Sequence, residues 1–158
     1  MRDSLRTGVS FGLTSAVITT LGLMVGLQSG TGSKLVVIGG VLTIAIADAF
    51  SDALGIHVSE ESENVHTPKQ VWGATVATFL AKFVFALTFI VPVLLLPLSA
   101  AVVVSVAWGL SILAILSYFM ARAQGERPWK IIGEHVLIAG LVIAITHWVG
   151  HWVSTLAA

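Results

Sequence analysis

The chain has 158 residues, of which 56% are hydrophobic and only 10% are charged, and its eight basic and eight acidic side chains balance to zero net charge. Its mean hydropathy is +0.97, and a soluble domain this small cannot bury so much apolar surface. The composition therefore excludes a soluble enzyme domain and a disordered chain. Zero net charge removes the electrostatic basis for binding nucleic acid. The chain has no cysteine, which excludes disulfides, thiolate metal sites and cysteine nucleophiles.

Five apolar stretches are long enough to cross a bilayer as helices, which takes about 20 residues each. They cover residues 9–27, 35–58, 71–96, 99–121 and 131–156. The breaks between them are a Gly/Ser turn at 28–34, an acidic loop at 59–70, Pro97, and a basic loop at 122–130. The first stretch is expected to be a retained helix, because it is longer than the apolar core of a signal peptide. The sequence thus predicts an all-α, five-helix transmembrane bundle that forms one domain over 1–158.

Basic side chains in the short loops indicate the orientation, because they favour the cytoplasmic side. With a cytoplasmic N-terminus, six basic residues would lie inside and only Lys34 outside. Lys82 lies within the third span and is not counted. The six are Arg2, Arg6, Lys69, Arg122, Arg127 and Lys130. We therefore expect the N-terminus in the cytoplasm and the C-terminus outside, in the plasma (inner) membrane of a prokaryote.

Small residues form one face of the first span. On a helical wheel, Gly8, Gly12, Thr19, Gly22, Gly26 and Gly30 fall within about 60° of Ser15. The Gly22-x-x-x-Gly26 pair would let two helix backbones approach closely in lipid. This face is either the seam of a homodimer beside a transport pathway or a contact with a neighbouring helix of the same bundle.

The second span carries a polar face centred on two aspartates one turn apart, Asp48 and Asp52. Ser51, Gly55, Ser59, Ser62 and Glu63 lie within about 60° of Asp48. An ionised aspartate in mid-membrane costs about 2.5–3.5 kcal/mol on insertion scales, so such residues are usually paired, hydrated or functional. Carboxylates and hydroxyls are the ligands that Mg²⁺, Mn²⁺ and Fe²⁺ prefer. Two neighbouring carboxylates also repel each other, which suits proton coupling.

Lys82 leaves an alternative open for these aspartates, because it lies inside the third span. It could neutralise Asp48 or Asp52 in a structural ion pair, or its long side chain could extend toward the cytoplasmic side.

The acidic loop and the last span contain further candidate ligands. Glu60, Glu61 and Glu63, with His57 and His66 nearby, could collect cations at the cytoplasmic mouth or could simply be solvated. His147 and His151, one turn apart on the last span, could bind a metal or have a structural role.

Four segments, taken in order, resemble the vacuolar iron transporter family, whose members move Fe²⁺ and Mn²⁺. They are TTLGLMVG at 19–26, ADAFSDALGIHVSEESE at 47–63, VPVLLLP at 91–97 and the Thr-x-x-x-Gly pattern at 146–150. The resemblance implies a five-helix homodimer with the pathway near its twofold axis, lined by the first two helices.

The chain departs from that family at its metal-binding positions. Ser15 stands where the family's first helix usually carries an aspartate. Asp52 aligns with the family's second-helix methionine, Ile56 with its glutamate and His57 with its tyrosine. The cytoplasmic metal-binding insert is reduced to about 59–70. The carboxylates of this chain, Asp48 and Asp52, thus lie one helical turn away from the family's metal-binding position.

These features predict a divalent-cation transporter of the Fe²⁺/Mn²⁺ type, either proton-coupled or uncoupled, and not an enzyme, since no nucleotide-binding or hydrolase motif is present. We expect membrane lipid and a second copy of the chain as partners, no nucleic acid, and no cofactor beyond a transported cation. One alternative is a non-transporting membrane scaffold of the same fold, and another is a transporter of a different small solute. The candidate cation ligands are Asp48, Asp52, Ser15, Thr19 and Ser51 in the membrane, and Glu60, Glu61 and Glu63 at the cytoplasmic entry.

Overall fold

A computed structural model describes residues 2–156. The side chain of Arg2, one of the six basic residues used for the orientation, lies outside the description, as do Met1, Ala157 and Ala158. The described part of the chain is helical and has no strand. Its helices are α1 (Arg2–Thr31), α2 (Lys34–Ser62), α3 (Pro68–Thr88), α4 (Ile90–Leu95), α5 (Leu98–Gln124) and α6 (Pro128–Leu156).

Five segments of this structure are long and apolar enough to cross a membrane. Four of them are α1, α2, α5 and α6, and the fifth joins α3 and α4. The predictions of an all-helical chain and of five candidate spans are therefore confirmed.

The third span is interrupted, a feature that the uninterrupted prediction for 71–96 did not include. Pro92 has no backbone N–H, and its ring crowds the carbonyl four residues earlier, that of Thr88. α3 accordingly ends at Thr88, and the N–H of Phe89 donates to the carbonyl of Ala86 at 3.2 Å before α4 begins. Pro97 then separates α4 from α5.

Lys34 closes the open end of the short helix α4. Its ammonium donates to the carbonyl oxygens of Leu94 and Leu96 at 3.1 and 3.2 Å. A cation at a helix C-terminus satisfies carbonyls that have no partner in the helix and interacts favourably with the helix dipole. The basic residue expected outside the cytoplasm therefore stabilises the connection between the third and fourth spans.

α1 is the central helix and contacts α2, α3, α5 and α6. The first half of its glycine face lies against α3. A Cβ atom on Gly8 would lie 2.3 Å from the carbonyl oxygen of Ala74, and one on Gly12 would lie 2.7 Å from that of Thr78. Only glycine permits α3 to come this close at these two positions.

The second half of the glycine face lies against α6. A Cβ atom on Gly26 would lie 3.3 Å from the carbonyl oxygen of Thr146, and one on Gly30 would lie 3.2 Å from that of Gly150. On the facing helix, a Cβ atom on Gly150 would lie 2.2 Å from the carbonyl oxygen of Gly26. Of the two interpretations of the small-residue face, these contacts favour packing between helices of one bundle.

Candidate functional site

Three oxygen-bearing side chains from two helices meet at the ammonium group of Lys82. Its Nζ atom lies 2.5 Å from Oδ2 of Asp48 and forms a short hydrogen bond to Oδ2 of Asp52. It also donates to Oγ of Ser15 at 2.7 Å. The two acids of α2, the lysine of α3 and the serine of α1 thus form one polar cluster inside the helical bundle.

Close helix packing explains why the lysine points inward. Gly12 brings the backbone of α1 against α3 near Thr78 and Lys82. Ser15, almost one turn further along α1, then faces the lysine side chain. Lys82 is 1% exposed, so its charge is compensated by protein groups and not by water. The sequence had left open whether its side chain pairs with the aspartates or extends toward the cytoplasmic side, and in the structure it pairs with them.

α2 packs against α1 and α3 through a column of valines and alanines. Val37, Val41, Ala45, Ala49 and Ala53 form its buried column, with one member at every fourth position. Asp48 and Asp52 each precede an alanine of this column, so both carboxylates start at the edge of the buried face and reach Lys82 from the same side.

Both aspartates remain partly open, unlike the lysine. The side chain of Asp48 is 25% exposed and that of Asp52 is 18% exposed. Asp48 and Ser51 line a groove of about 640 Å³ between α1 and α2, whose other walls are mostly apolar. Asp48 is therefore reachable through this groove from the outer surface of the single chain.

The remaining predicted membrane ligands lie around this cluster without touching the lysine. Thr19 donates its hydroxyl to the carbonyl of Ser15 at 2.9 Å, within α1. Ser51 is exposed on the groove side of α2. The structure thus brings Ser15, Asp48 and Asp52 together, and places Thr19 and Ser51 beside them.

The predicted loop acids are divided between two places, and Glu60 and Glu61 belong to the end of α2 rather than to a loop. Oε2 of Glu60 lies 3.0 Å from Nδ1 of His66, and Glu63 lies 4.0 Å from the same nitrogen. Glu60 is 7% exposed, whereas Glu61 is exposed and lines a separate cavity of about 210 Å³ that also includes His57 and His66. Glu60 is therefore held in the fold, while Glu61 and Glu63 face outward.

Two histidine contacts in the structure were not predicted from the sequence. Nδ1 of His57 lies 2.9 Å from the hydroxyl of Thr75, and Nδ1 of His135 lies 2.7 Å from the hydroxyl of Ser117. In each pair the two residues lie on different helices, so the only signal in the sequence was a polar side chain within an apolar stretch. His147 and His151 are exposed on α6.

Within residues 2–156, no three His, Asp or Glu side chains converge as a group that could hold a metal ion. The densest set of anionic oxygens is the Asp48–Asp52 pair, and the Lys82 ammonium already occupies its centre. A cation that entered this cluster would have to displace the lysine or gain further ligands from elsewhere.

No protein-family model, curated protein or solved structure matches the chain. A functional assignment therefore depends on the residues and their geometry, and membership in the vacuolar iron transporter family stays a prediction from the motifs.

Proposed function

We propose that the protein is a divalent-cation transporter of the Fe²⁺/Mn²⁺ type, and that Asp48 and Asp52 are its central cation ligands. The observation that carries the proposal is that two carboxylates share one ammonium group. When all three groups are ionised, one negative charge is left over. Both carboxylates are partly exposed, and Asp48 lines the α1–α2 groove. An ionised group within a membrane span is costly unless it is compensated.

The chemistry of the cluster suits a hard cation. Ser15, Asp48 and Asp52 direct a hydroxyl and two carboxylate oxygens toward one point, now occupied by the Lys82 ammonium. Divalent cations such as Mn²⁺ and Fe²⁺ accept such oxygen ligands. A dication also interacts more strongly than an ammonium group with two carboxylates, which is the basis on which it would compete with Lys82.

A second copy of the chain would complete the site. The α1–α2 groove leaves Asp48 and Ser51 open on the surface of the single chain. In a twofold dimer the same patch of both copies is buried, so each carboxylate pair would gain a counterpart. This arrangement shields Asp48 from lipid. It also gives a bound cation carboxylate ligands from both copies instead of from one. We therefore propose a homodimer joined across this groove.

The end of α2 and the loop that joins it to α3 form the proposed entry. The excess of basic side chains at this end of the bundle favours a cytoplasmic position for it, with the N-terminus inside and the C-terminus outside. Glu61 and Glu63 are exposed there, and their negative charge would raise the local concentration of cations. We propose the plasma (inner) membrane of a prokaryote as its location.

A second candidate function is favoured by the burial of Lys82. A lysine that is 1% exposed and has three oxygen partners is also what a purely structural ion cluster would contain. On this alternative the protein is a membrane scaffold that keeps the fold and moves no cation.

Cation flux into proteoliposomes separates the two candidates. Wild-type protein should carry Mn²⁺ or Fe²⁺, tested with and without a pH gradient, and Asp52→Asn should abolish the flux because it removes one carboxylate from the cluster. Glu126→Gln is the control, since Glu126 is an exposed acid outside the cluster and its loss should leave the flux unchanged.

Two results would contradict the transport proposal. The first is wild-type protein that is folded in the liposomes yet moves no divalent cation. The second is an Asp52→Asn variant with wild-type flux, which would remove this residue from the mechanism. The scaffold candidate predicts in addition that an Asp48→Asn, Asp52→Asn, Lys82→Met triple variant stays folded, because a buried ion cluster replaced by neutral groups is often tolerated.

A further inference from the structure

Two cavities adjoin between α2 and α3, near the loop that joins these helices. The larger has a volume of about 470 Å³ and an almost wholly apolar lining, and the smaller is the polar cavity of about 210 Å³ next to the loop. His57 and Trp72 belong to the linings of both. Trp72 is 60% exposed, so the border between the two cavities is open on its outer side. Neither the transport proposal nor the family resemblance uses the apolar cavity.

The apolar cavity extends from His57 away from the loop. α2 and α3 are antiparallel here, because His57 contacts Thr75 while Phe50 contacts Phe79 with a distance of 4.6 Å between ring centroids. Phe50 therefore lies about 10 Å deeper along α2 than His57. The other walls are aliphatic and come from Ala53, Leu54, Val76 and Leu80. A ligand in this cavity needs an apolar body.

The polar cavity contains an acid that has no ionic partner. Glu61 lines this cavity, and none of the ion pairs found among the described residues includes it. His66 also lines the cavity, but Glu60 lies 3.0 Å from its Nδ1 atom and compensates its charge whenever it is protonated. No lysine or arginine side chain that the structure describes lines either cavity. The polar cavity therefore attracts a cation and not an anion.

His57 adds a hydrogen-bond acceptor at the border of the two cavities. The hydroxyl of Thr75 donates to the carbonyl of Val71 at 2.8 Å and lies 2.9 Å from Nδ1 of His57. The hydroxyl has only one proton, so Nδ1 must be the donor in the second contact. In the neutral ring, Nε2 then carries a lone pair. Glu61 follows His57 by one helical turn, with about 5–6 Å between their Cβ atoms, so a single ammonium group can reach both side chains.

We propose that the two cavities together bind a single-chain amphiphile with a primary ammonium group at its end. The ammonium donates a charge-assisted hydrogen bond to the Glu61 carboxylate and a second hydrogen bond to Nε2 of His57. The ligand then passes over the Trp72 indole, whose face attracts cations, and its chain fills the apolar cavity as far as Phe50. A phospholipid with the same ammonium group is disfavoured, because its phosphate would lie beside Glu61 without a basic side chain to receive it.

The test measures the thermal stability of delipidated protein in dodecyl maltoside micelles with EDTA, while one amphiphile is added. Dodecylamine, which is protonated at neutral pH, should raise the melting temperature in a saturable way. Dodecanol has the same chain without a charge and should have little effect. Dodecyltrimethylammonium should act more weakly than dodecylamine because it has no N–H to donate, and dioleoyl phosphatidylethanolamine should also act more weakly because of its phosphate.

Variants connect the response to each half of the site. Glu61→Gln should raise the half-saturating fraction of dodecylamine about tenfold, the effect of one lost charge-assisted hydrogen bond. Glu63→Gln is its matched control, since it removes an exposed acid two residues away that lines neither cavity. Leu54→Ala should raise the same fraction about fivefold through lost apolar contact. Its control is Leu137→Ala, because both leucines are 64% exposed and Leu137 lies on α6. Both controls should respond as the wild type does.

Equal effects of dodecylamine and dodecanol would overturn the proposal, as would a Glu61→Gln variant with the half-saturation of the wild type. An equal effect of dodecyltrimethylammonium would contradict the primary ammonium group, and an equal effect of phosphatidylethanolamine would contradict the single-chain ligand. Glu61 also belongs to the proposed cation entry. Because EDTA removes divalent cations and no readout measures flux, either proposal can fail while the other stands.

Discussion

At the scale of single residues, Lys82 is the side chain on which the candidate site depends. Its side chain is 1% exposed, and the partners of its ammonium are Asp48, Asp52 and Ser15. A buried charge of this kind is stable only while its partners remain, and its partners are compensated only while it remains. The same contacts therefore link the stability of the bundle to the chemistry of the cation site.

Lys82→Met should destabilise the protein strongly. The methionine fits the space of the lysine side chain but leaves two carboxylates without a counterion, and the loss of one partner from a buried pair costs about 3–5 kcal/mol. The triple variant Lys82→Met, Asp48→Asn, Asp52→Asn should recover most of that loss, because no uncompensated charge remains. Thermal unfolding in detergent measures both effects.

Lys130→Met is the control for this series, since Lys130 is an exposed lysine outside the cluster and its replacement should change the melting temperature little. A Lys82→Met variant as stable as the wild type would mean that the lysine does not compensate the aspartates. A triple variant as unstable as the single one would show that Lys82 contributes through packing rather than charge.

The sequence placed both aspartates on one helical face and identified Lys82 as their possible partner, but it could not choose between an inward and a snorkelling lysine. That choice depends on the rotation of α3 about its own axis. The rotation is set by the contact of Gly8 and Gly12 with the carbonyls of Ala74 and Thr78, residues more than 60 positions away in the chain. Local periodicity has no information on such a contact.

At the scale of helices, the apolar stretches predicted the number of spans, and the polar residues between them decide where the helices end. Ser33 accepts a hydrogen bond from the N–H of Val36 at the start of α2, and Thr67 and Gln70 form a capping box at the start of α3. Gly125 ends α5 in the left-handed conformation, with φ of 72°. The helices therefore extend beyond the predicted apolar limits and into the polar breaks.

The break at Phe89 shortens a helix that the apolar pattern predicts to be continuous. The apolar run of 26 residues at 71–96 predicts one helix although it contains Pro92, because hydropathy does not register a missing hydrogen-bond donor. The other end of α4 is capped by Lys34 of α2, a contact between distant residues that hydropathy also does not register.

The contact between α1 and α6 gives a prediction at this scale. Gly150→Ala should destabilise the protein by about 1–3 kcal/mol, because the new methyl group would lie 2.2 Å from the carbonyl oxygen of Gly26 and inserting an atom into a packed contact forces the backbones apart. Gly140→Ala is the matched control on the same helix. Its Cβ would have nothing within 4 Å, and alanine has the higher helix propensity, so this variant should be at least as stable as the wild type.

Melting temperatures of the two variants in detergent check the prediction. Equal destabilisation by both would indicate that any loss of glycine from α6 matters. No effect of Gly150→Ala would mean that the backbones of α1 and α6 do not touch at Gly26 and Gly150.

At the scale of the whole molecule, the exposed surfaces of α2 and α6 differ in composition. α6 presents mainly large apolar side chains outward, among them Leu137, Ile138 and Leu141, as a helix in contact with lipid would. The face of α2 next to α1 instead exposes Thr43, Ala47 and Ser51 beside the partly open Asp48. Small and polar residues are typical of contacts between membrane helices, so this face is the proposed place for a second copy.

Disulfide cross-linking tests the dimer directly, because the chain contains no cysteine and each introduced thiol is the only one per copy. In a twofold dimer joined across the α1–α2 groove, residues near the axis face their own counterparts. Three single variants, each one turn from the next along α2, should therefore form covalent dimers when membranes are oxidised: Thr43→Cys, Ala47→Cys and Ser51→Cys. The yield should be highest for the position nearest the axis.

Ile138→Cys is the matched control, since it is also exposed and lies about ten residues from a helix end, as Ser51 does. It should stay monomeric on denaturing gels under the same oxidation. Cross-linking at Ile138 and at none of the three α2 positions would place the interface on α6. The carboxylates of one copy would then lie away from those of the other copy. In that case Asp48 and Asp52 would have only Lys82 to compensate them, and the geometry would favour the scaffold over the transporter.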